Sequence, residues 1–441
     1  MPLSPYCLEF ALPDRHNHSH EQVLLFSTRR GATAVVARDL LREIAAGTAL
    51  ASEIEPLVQL GLVVPDPAAE QAEMQGYLDR VNNLTDSLEV AIFPGMACNF
   101  ACTYCYEGAL KDGRTMSPAT VEASLAFIRK RYQQTSRKRL ILHFYGGEPL
   151  LYPEVIRAFC AELKPFAEAA GGRFTATLVS NGSLLSRTLL TPLLPLGLKA
   201  VKVTLDGPPD LHNQTRPYKN GQPSFAIILD NIKEVCDLVT VGIGGNFTAR
   251  TWQRFPELLD LLLENGLAVE RLGPVGFNAA MGVQDQEAGC MADGCLDYGV
   301  PWVTEATVAL REAALRRGFR MPQIGPTPCM VEMDNGVAIN VDGSLYKCPA
   351  IIGRKAFRAG DVWQGSDPGL ATYCRRHWHE RQECRACVYL PLCFGGCRFI
   401  SFQRTSAMAE VECRRDFLRA TLGPMLLQDM EYCYQHHPHS S

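Results

Sequence analysis

Cys98-Asn-Phe-Ala-Cys102-Thr-Tyr-Cys105 sets three thiols at spacings of four and three and constrains this chain more than any other stretch. Three thiolates hold three irons of a [4Fe–4S] cubane and leave the fourth iron without a protein ligand, open to a small molecule. Zinc is the alternative, since it also takes thiolates, but it usually closes its site with four ligands in Cys-x2-Cys pairs. The residues before the loop, 86–94, are apolar and β-branched, and predict a strand running straight into it.

With 441 residues, 47% hydrophobic and 20% charged, the chain has room for two or three domains with a sizeable core. A net charge of −4 without a long basic run gives no footprint for nucleic acid. No apolar run reaches the roughly eighteen residues of a membrane-spanning helix, and the first residues lack the pattern of a signal peptide. The expectation is a cytoplasmic protein. Seventeen cysteines in a long chain of this kind favour metal or redox work over disulfides. Nine lie from Cys329 onward, whereas Cys7, Cys160 and Cys236 stand singly and read as small buried apolar residues.

Residues 1–80 read as a small separate unit: a strand at 22–28, a turn at Gly31, a helix over 34–45 ended by Gly47, and a second helix from Glu55 leading to a short strand before Pro65. That is the text of a winged helix. The acidic, Gln-rich run 66–79 reads as a bridge. From residue 86 strands and helices alternate, with strands at 86–94, 140–145, 173–179, 200–205, 239–243 and 271–275 and helices at 153–163, 184–194, 225–235 and 252–265. Such alternation predicts an α/β fold with a parallel sheet, a partial (β/α)6 TIM barrel over 86–300, whose ligand chemistry collects at the strands' carboxyl ends.

The cysteine loop resembles the signature of the radical S-adenosylmethionine (SAM) superfamily. That resemblance implies that Cys98, Cys102 and Cys105 are the catalytic cluster ligands. The open iron would chelate SAM, and one-electron reduction would give methionine and a 5′-deoxyadenosyl radical that abstracts a substrate hydrogen. Gly146-Gly147-Glu148-Pro149 matches the family element that receives the SAM amino group. By the same resemblance Ser180 and Asn181 would contact ribose or carboxylate, Thr204 and Arg216 the carboxylate, and Tyr106 the adenine. Residues 1–80 look similar to the leader-recognition domains of radical SAM peptide maturases, in which a leader peptide adds as a strand beside a helix.

Cys329, Cys348, Cys384, Cys387, Cys393, Cys397 and Cys413 resemble, spacing for spacing, the SPASM extension of that superfamily, here over 320–425 with a tail at 426–441. The family pairing would give Cys384, Cys387, Cys393 and Cys413 to an outer [4Fe–4S] cluster and Cys329, Cys348 and Cys397 to an inner one, three clusters in all. Residues 330–336 hold no further cysteine, so the inner iron is open or takes Cys374, Cys290 or Cys295. Cys433 and the His436, His437 and His439 tail read as a frayed end. The function implied is maturation of a ribosomally made precursor peptide by a thioether or carbon–carbon crosslink, with flavodoxin or ferredoxin as electron donor. Sulfatase maturation by formylglycine formation is the alternative. Its branch carries an aspartate base directly after the second SPASM cysteine, where this chain has Pro349. An iron–sulfur electron carrier would have no use for an open cluster beside Glu148.

Overall fold

The computed structural model describes residues 1–13, 22–105, 107–134, 138–267, 269–280, 298–366 and 377–433. Six strands form the centre: β4 (Ser87–Ile92), β5 (Arg139–Phe144), β6 (Arg173–Ser180), β7 (Leu198–Thr204), β8 (Thr240–Phe247) and β9 (Leu272–Ala279). They pair in that order and all in parallel, as the alternation of strand and helix text predicts. Before them come β1 (Cys7–Ala11), β2 (Gln22–Ser27) and β3 (Thr33–Ala37), and after them β10 (Gly336–Ile339) and β11 (Leu345–Tyr346).

Along the central strands the side chains alternate. Leu140, Leu142 and Phe144 of β5, with Ala176 and Leu178 of β6, are fully buried and pack with Ile156, Phe159 and Leu163 of the helix Pro153–Ala169. Their neighbours Ile141, His143, Thr175 and Thr177 are half-buried, the pattern of a sheet covered by helices on one side and opening on the other. Two more covering helices, Pro118–Gln133 and Pro301–Arg316, were not expected from the sequence. The helix expected over 184–194 shrinks to Arg187–Leu190 and a single 3-10 turn, because Pro192, Pro195 and Gly197 break it.

The sheet does not stop at six strands. β10 lies parallel to β4, Val337 opposite Val90 and Ile339 opposite Ile92, and β11 turns back antiparallel on β10. The turn between them uses Gly343 at φ 76°, with Gly343 N–H donating to Asn340 O. The C-terminal segment thus covers the edge that β4 would otherwise expose.

The N-terminal unit differs from the expectation at two points. Thr33–Ala37 is a strand, not the start of a helix, because Val35 and Val36 pair with Leu24 and Val23 of β2; the helix begins only at Arg38. Nor is the unit separate. β2 is buried on both faces: Val23 and Leu25 pack with Leu57 and Val63, while Leu24 and Phe26 pack with Tyr389, Leu422 and Leu426. Thr28 Oγ1 also donates to Val388 O at 2.6 Å. The run expected as a bridge forms two helices, Pro67–Gln75 and Tyr77–Leu84, the first capped by Asp66, which accepts from Ala68 and Ala69 N–H. Among the described residues no helix is long and apolar enough to cross a membrane.

Candidate active site

The cysteine loop leaves the carboxyl end of β4 and is fastened on both sides by backbone. On one side Met96 N–H donates to Arg114 O and Met116 N–H to Pro94 O. On the other, Ala101 and Thr103 donate to Pro217 and Thr215, and Lys219 donates to Asn99. Phe100 is fully buried, edge-on to Tyr218 at 4.9 Å. A loop with this many partners presents its thiols in one conformation.

Gly146 and Gly147 are glycine for a reason of space. A Cβ on Gly147 would lie 2.2 Å from Ala97 O, and one on Gly146 would lie 2.5 Å from Gly95 O. The turn therefore seats directly on the backbone that enters the cysteine loop, and Glu148 N–H donates to Ala97 O at 2.9 Å. Pro149 opens a 3-10 turn. Glu148 is completely buried; it accepts from Leu150 N–H (3.0 Å), Ser180 Oγ (2.9 Å) and Asn181 N–H (2.8 Å). Burial pushes its carboxyl above the usual range, against these hydrogen bonds. Asn181 also closes a ring: its Nδ2 donates to Asn99 Oδ1 (2.8 Å), Asn99 Nδ2 to Ser183 Oγ (2.8 Å), and Ser183 Oγ to Asn181 Oδ1 (2.7 Å). The ends of β5 and β6 and the cysteine loop thus form one hydrogen-bonded body.

The third group was only half legible. Tyr104, between two of the cysteines, turns inward and donates to Asp206 beyond the end of β7. Its hydroxyl accepts from Arg216 Nη1 (2.7 Å) and Asn246 Nδ2 (3.1 Å), and Asn246 N–H donates to Asp206 Oδ1 (2.7 Å). Burial raises the carboxyl of Asp206, with the Arg216 cation opposing it. Thr204 ends β7 opposite Gly244. Tyr106 lies outside the described residues.

His212 sets this corner. Asp206 N–H donates to its Nδ1 (3.1 Å), so the ring carries its proton on Nε2 and gives it to Ser224 Oγ (3.1 Å), which donates to Arg216 O (2.7 Å). Burial first and the Arg216 cation second push its pKa down to about 3 from 6.5. Below 6.5 the unfolded chain binds a proton that the folded chain refuses, so stability is full above that value and falls as pH drops towards the folded value. Between about pH 7.5 and 5.5 the wild type should lose about 1.4 kcal/mol more than His212→Gln in urea denaturation, and equal losses would show that His212 is not held neutral.

Burial pushes the Cys98 thiol up, countered by the Lys111 cation, and pushes Cys102 up to about 11, countered by Arg216 and then Lys111. Lys111, which the sequence reading passed over, hydrogen-bonds Cys105; the thiolates hold its ammonium above its usual range although burial pulls the other way. Three soft donors flanked by two cations are the donor chemistry of an anionic thiolate cluster, and loading iron there must displace protons.

The C-terminal thiols gather in two places. Cys329, Cys348 and Cys397 act on one another electrostatically, and Cys384, Cys387, Cys393 and Cys413 line one cavity. Burial pushes Cys384 up to about 11 and Cys393 up to about 12. Cys348 is pushed up by burial and accepts from the N–H groups of the turn that Pro349 opens. A buried ion pair, Arg398 with Glu332, ties the residue after Cys397 to the turn after Cys329. Tyr145, stacked on Phe93, packs against the same buried cluster as Cys348 and Cys397, just beyond the ends of β4 and β5. Among the described residues no three Cys, His, Asp or Glu side chains converge on a point as one zinc ion would require. Cys290, Cys295, Cys374 and the histidine tail lie outside the described residues. A cleft lined by Lys199, Thr240 and Arg271 is at the strands' amino ends and is lined by none of these ten cysteines.

Residues 92–263 match the family model of the Radical SAM superfamily. Over those residues, less than half of the chain, it is similar to that superfamily. Among curated relatives, GTP 3′,8-cyclase of Chlorobaculum tepidum is 34% identical over 139 residues, which are 31% of this chain and 38% of that protein. The chain thus spans well under half of that relative's length. Among solved structures, native anSMEcpe with bound AdoMet aligns with a TM-score of 0.60 at 18% identity, over 78% of this chain and 97% of that one. SuiB of Streptococcus suis bound to S-adenosylmethionine aligns with a TM-score of 0.53 at 14% identity, over 93% of this chain and 98% of that one. These likenesses establish the radical SAM fold.

Proposed function

We propose that this protein is a SPASM-type radical SAM enzyme that modifies a ribosomally made peptide, with one SAM-binding and two auxiliary [4Fe–4S] clusters. The observation that supports this is that ten free cysteines lie in three groups: 98, 102 and 105 in one loop, 329, 348 and 397 acting on one another electrostatically, and 384, 387, 393 and 413 around one cavity. When bound, the first cluster and SAM supply a 5′-deoxyadenosyl radical for hydrogen abstraction. The protein's part is to orient and to exclude water. Glu148, Asn181 and Asn99 hold the loop rigid, Lys111 and Arg216 offset the thiolate charge, and Phe93 and Tyr145 fill the space towards the inner set.

A peptide substrate is supported from the other end of the molecule. β3 is the edge of the N-terminal sheet and pairs, among the described strands, with β2 alone, and Val35 on it is exposed; an edge of this kind accepts an added strand. Both solved relatives have also been captured with peptides, anSMEcpe with Cp18Cys and SuiB with its precursor SuiA. Pro349 weighs against sulfatase maturation, since it begins a turn directly after Cys348 and offers no base.

The test is anaerobic co-expression with the small peptide encoded beside the gene, read by high-resolution mass spectrometry. Loss of two hydrogens per event is expected. Cys384→Ala should still form deoxyadenosine with a flavodoxin or ferredoxin as donor, yet give no modified peptide. Full product from that variant would remove the outer cluster from the reaction.

A further inference from the structure

Glu412 precedes the outer-set residue Cys413, and its side chain is 1% exposed. One oxygen, Oε2, accepts from Cys397 N–H (3.1 Å) and Arg414 Nε (2.7 Å). The other, Oε1, is buried and meets no donor among the described residues. A carboxylate oxygen in the interior does not stay unpaired without cost, so a group that is not polypeptide should meet it. The approach is built in. A Cβ on Gly396 would lie 2.0 Å from Glu412 O and 2.5 Å from its Oε2, so only glycine before Cys397 lets this carboxylate reach the cysteine's peptide.

The location says what that group is. Cys397 belongs to the inner set, which offers three thiols to four irons. One oxygen of the Glu412 carboxylate is fastened to the peptide of a ligand cysteine, so the buried second oxygen is held in the neighbourhood of that cysteine. Arg414 pairs with Oε2, and its guanidinium stacks on Tyr298 at 4.1 Å. Adjacent residues thus serve different clusters, Cys413 the outer and Glu412 with Arg414 the inner.

We propose that Glu412 Oε1 is the fourth ligand of the inner cluster, an oxygen where a fourth thiolate would otherwise stand. This rests on the three-cluster reading above. It closes the inner cluster with a residue of this chain, so that this iron is not kept free for a substrate thiol.

The test uses the full chain with Cys98→Ala, Cys102→Ala and Cys105→Ala, which leaves only the C-terminal clusters, reconstituted anaerobically with iron-57 and sulfide. This parent should bind about eight irons and show one oxygen-ligated iron site by Mössbauer spectroscopy. Glu412→Gln keeps an acceptor for Cys397 N–H but is a poor ligand. It should lose that site and about one iron per chain, and give a three-iron paramagnetic signal on mild oxidation. Glu412→Cys should restore the iron count with an all-thiolate spectrum, which separates ligation from folding. If Glu412→Gln keeps the parent's iron and spectrum, the carboxylate only caps Cys397 and the proposal is wrong. If the parent holds about four irons or fewer, the three-cluster reading itself fails, and the ligand with it.

Discussion

Cys98→Ala should abolish SAM cleavage, lowering deoxyadenosine formation by about a thousandfold or more, while removing only one cluster's worth of iron. The residue is buried at the start of the loop, where Phe100 N–H (3.4 Å) and Asn181 Nδ2 (3.9 Å) reach its sulfur. No neighbouring thiol can replace it, because the backbone on both sides is tied to 114–116 and 215–219. The C-terminal thiols are anchored elsewhere, so their clusters should survive, and the variant should keep its thermal unfolding profile. Deoxyadenosine at the wild-type rate from the purified variant would end the assignment of this loop.

Arg216→Ala should be the most destabilising single change in the barrel's mouth. The guanidinium is nine-tenths buried and neutralises Asp206 through the Tyr104 hydroxyl. Without it a buried carboxylate loses its cation, at a cost of about 3 kcal/mol or more. Tyr104→Phe removes only the bridge and should cost about 1–3 kcal/mol. Adding Asp206→Asn to Arg216→Ala should recover part of the loss, because the uncompensated charge goes with it. Urea denaturation of the metal-free protein reads all of these, and an Arg216→Ala loss under about 1 kcal/mol would mean that water, not Arg216, balances Asp206.

Much of this was legible because it is periodic or spaced. The parallel strands announce themselves through alternation within strands and between strands and helices, and the cysteine sets through spacing. What escaped was decided by pairing across the fold. Val35 and Val36 sit at helical spacing with the residues after them, yet β2 needs a partner, and β-branched side chains suit a strand. The Asp342-Gly343 turn signal was present, but nothing local says that β10 should lie beside β4, some two hundred and fifty residues away. Tyr104 carried a local signal too, since it lies between two of the cysteines. The roles of Tyr104 and His212 depend on Asp206, Ser224 and Asn246, which only the closed barrel brings to them. The small separate unit expected at the N-terminus fails for the same reason: the second apolar face of β2 is visible in the sequence, whereas its cover, Leu422 and Leu426, is not.

The most direct measurement is made on the full-length protein, purified and reconstituted without air, then given SAM and a one-electron reductant. The account predicts about twelve irons per chain and accumulation of 5′-deoxyadenosine and methionine, with the yield of deoxyadenosine lost in Cys98→Ala. A protein that holds zinc in place of iron, or that carries its clusters yet leaves SAM intact, would contradict it.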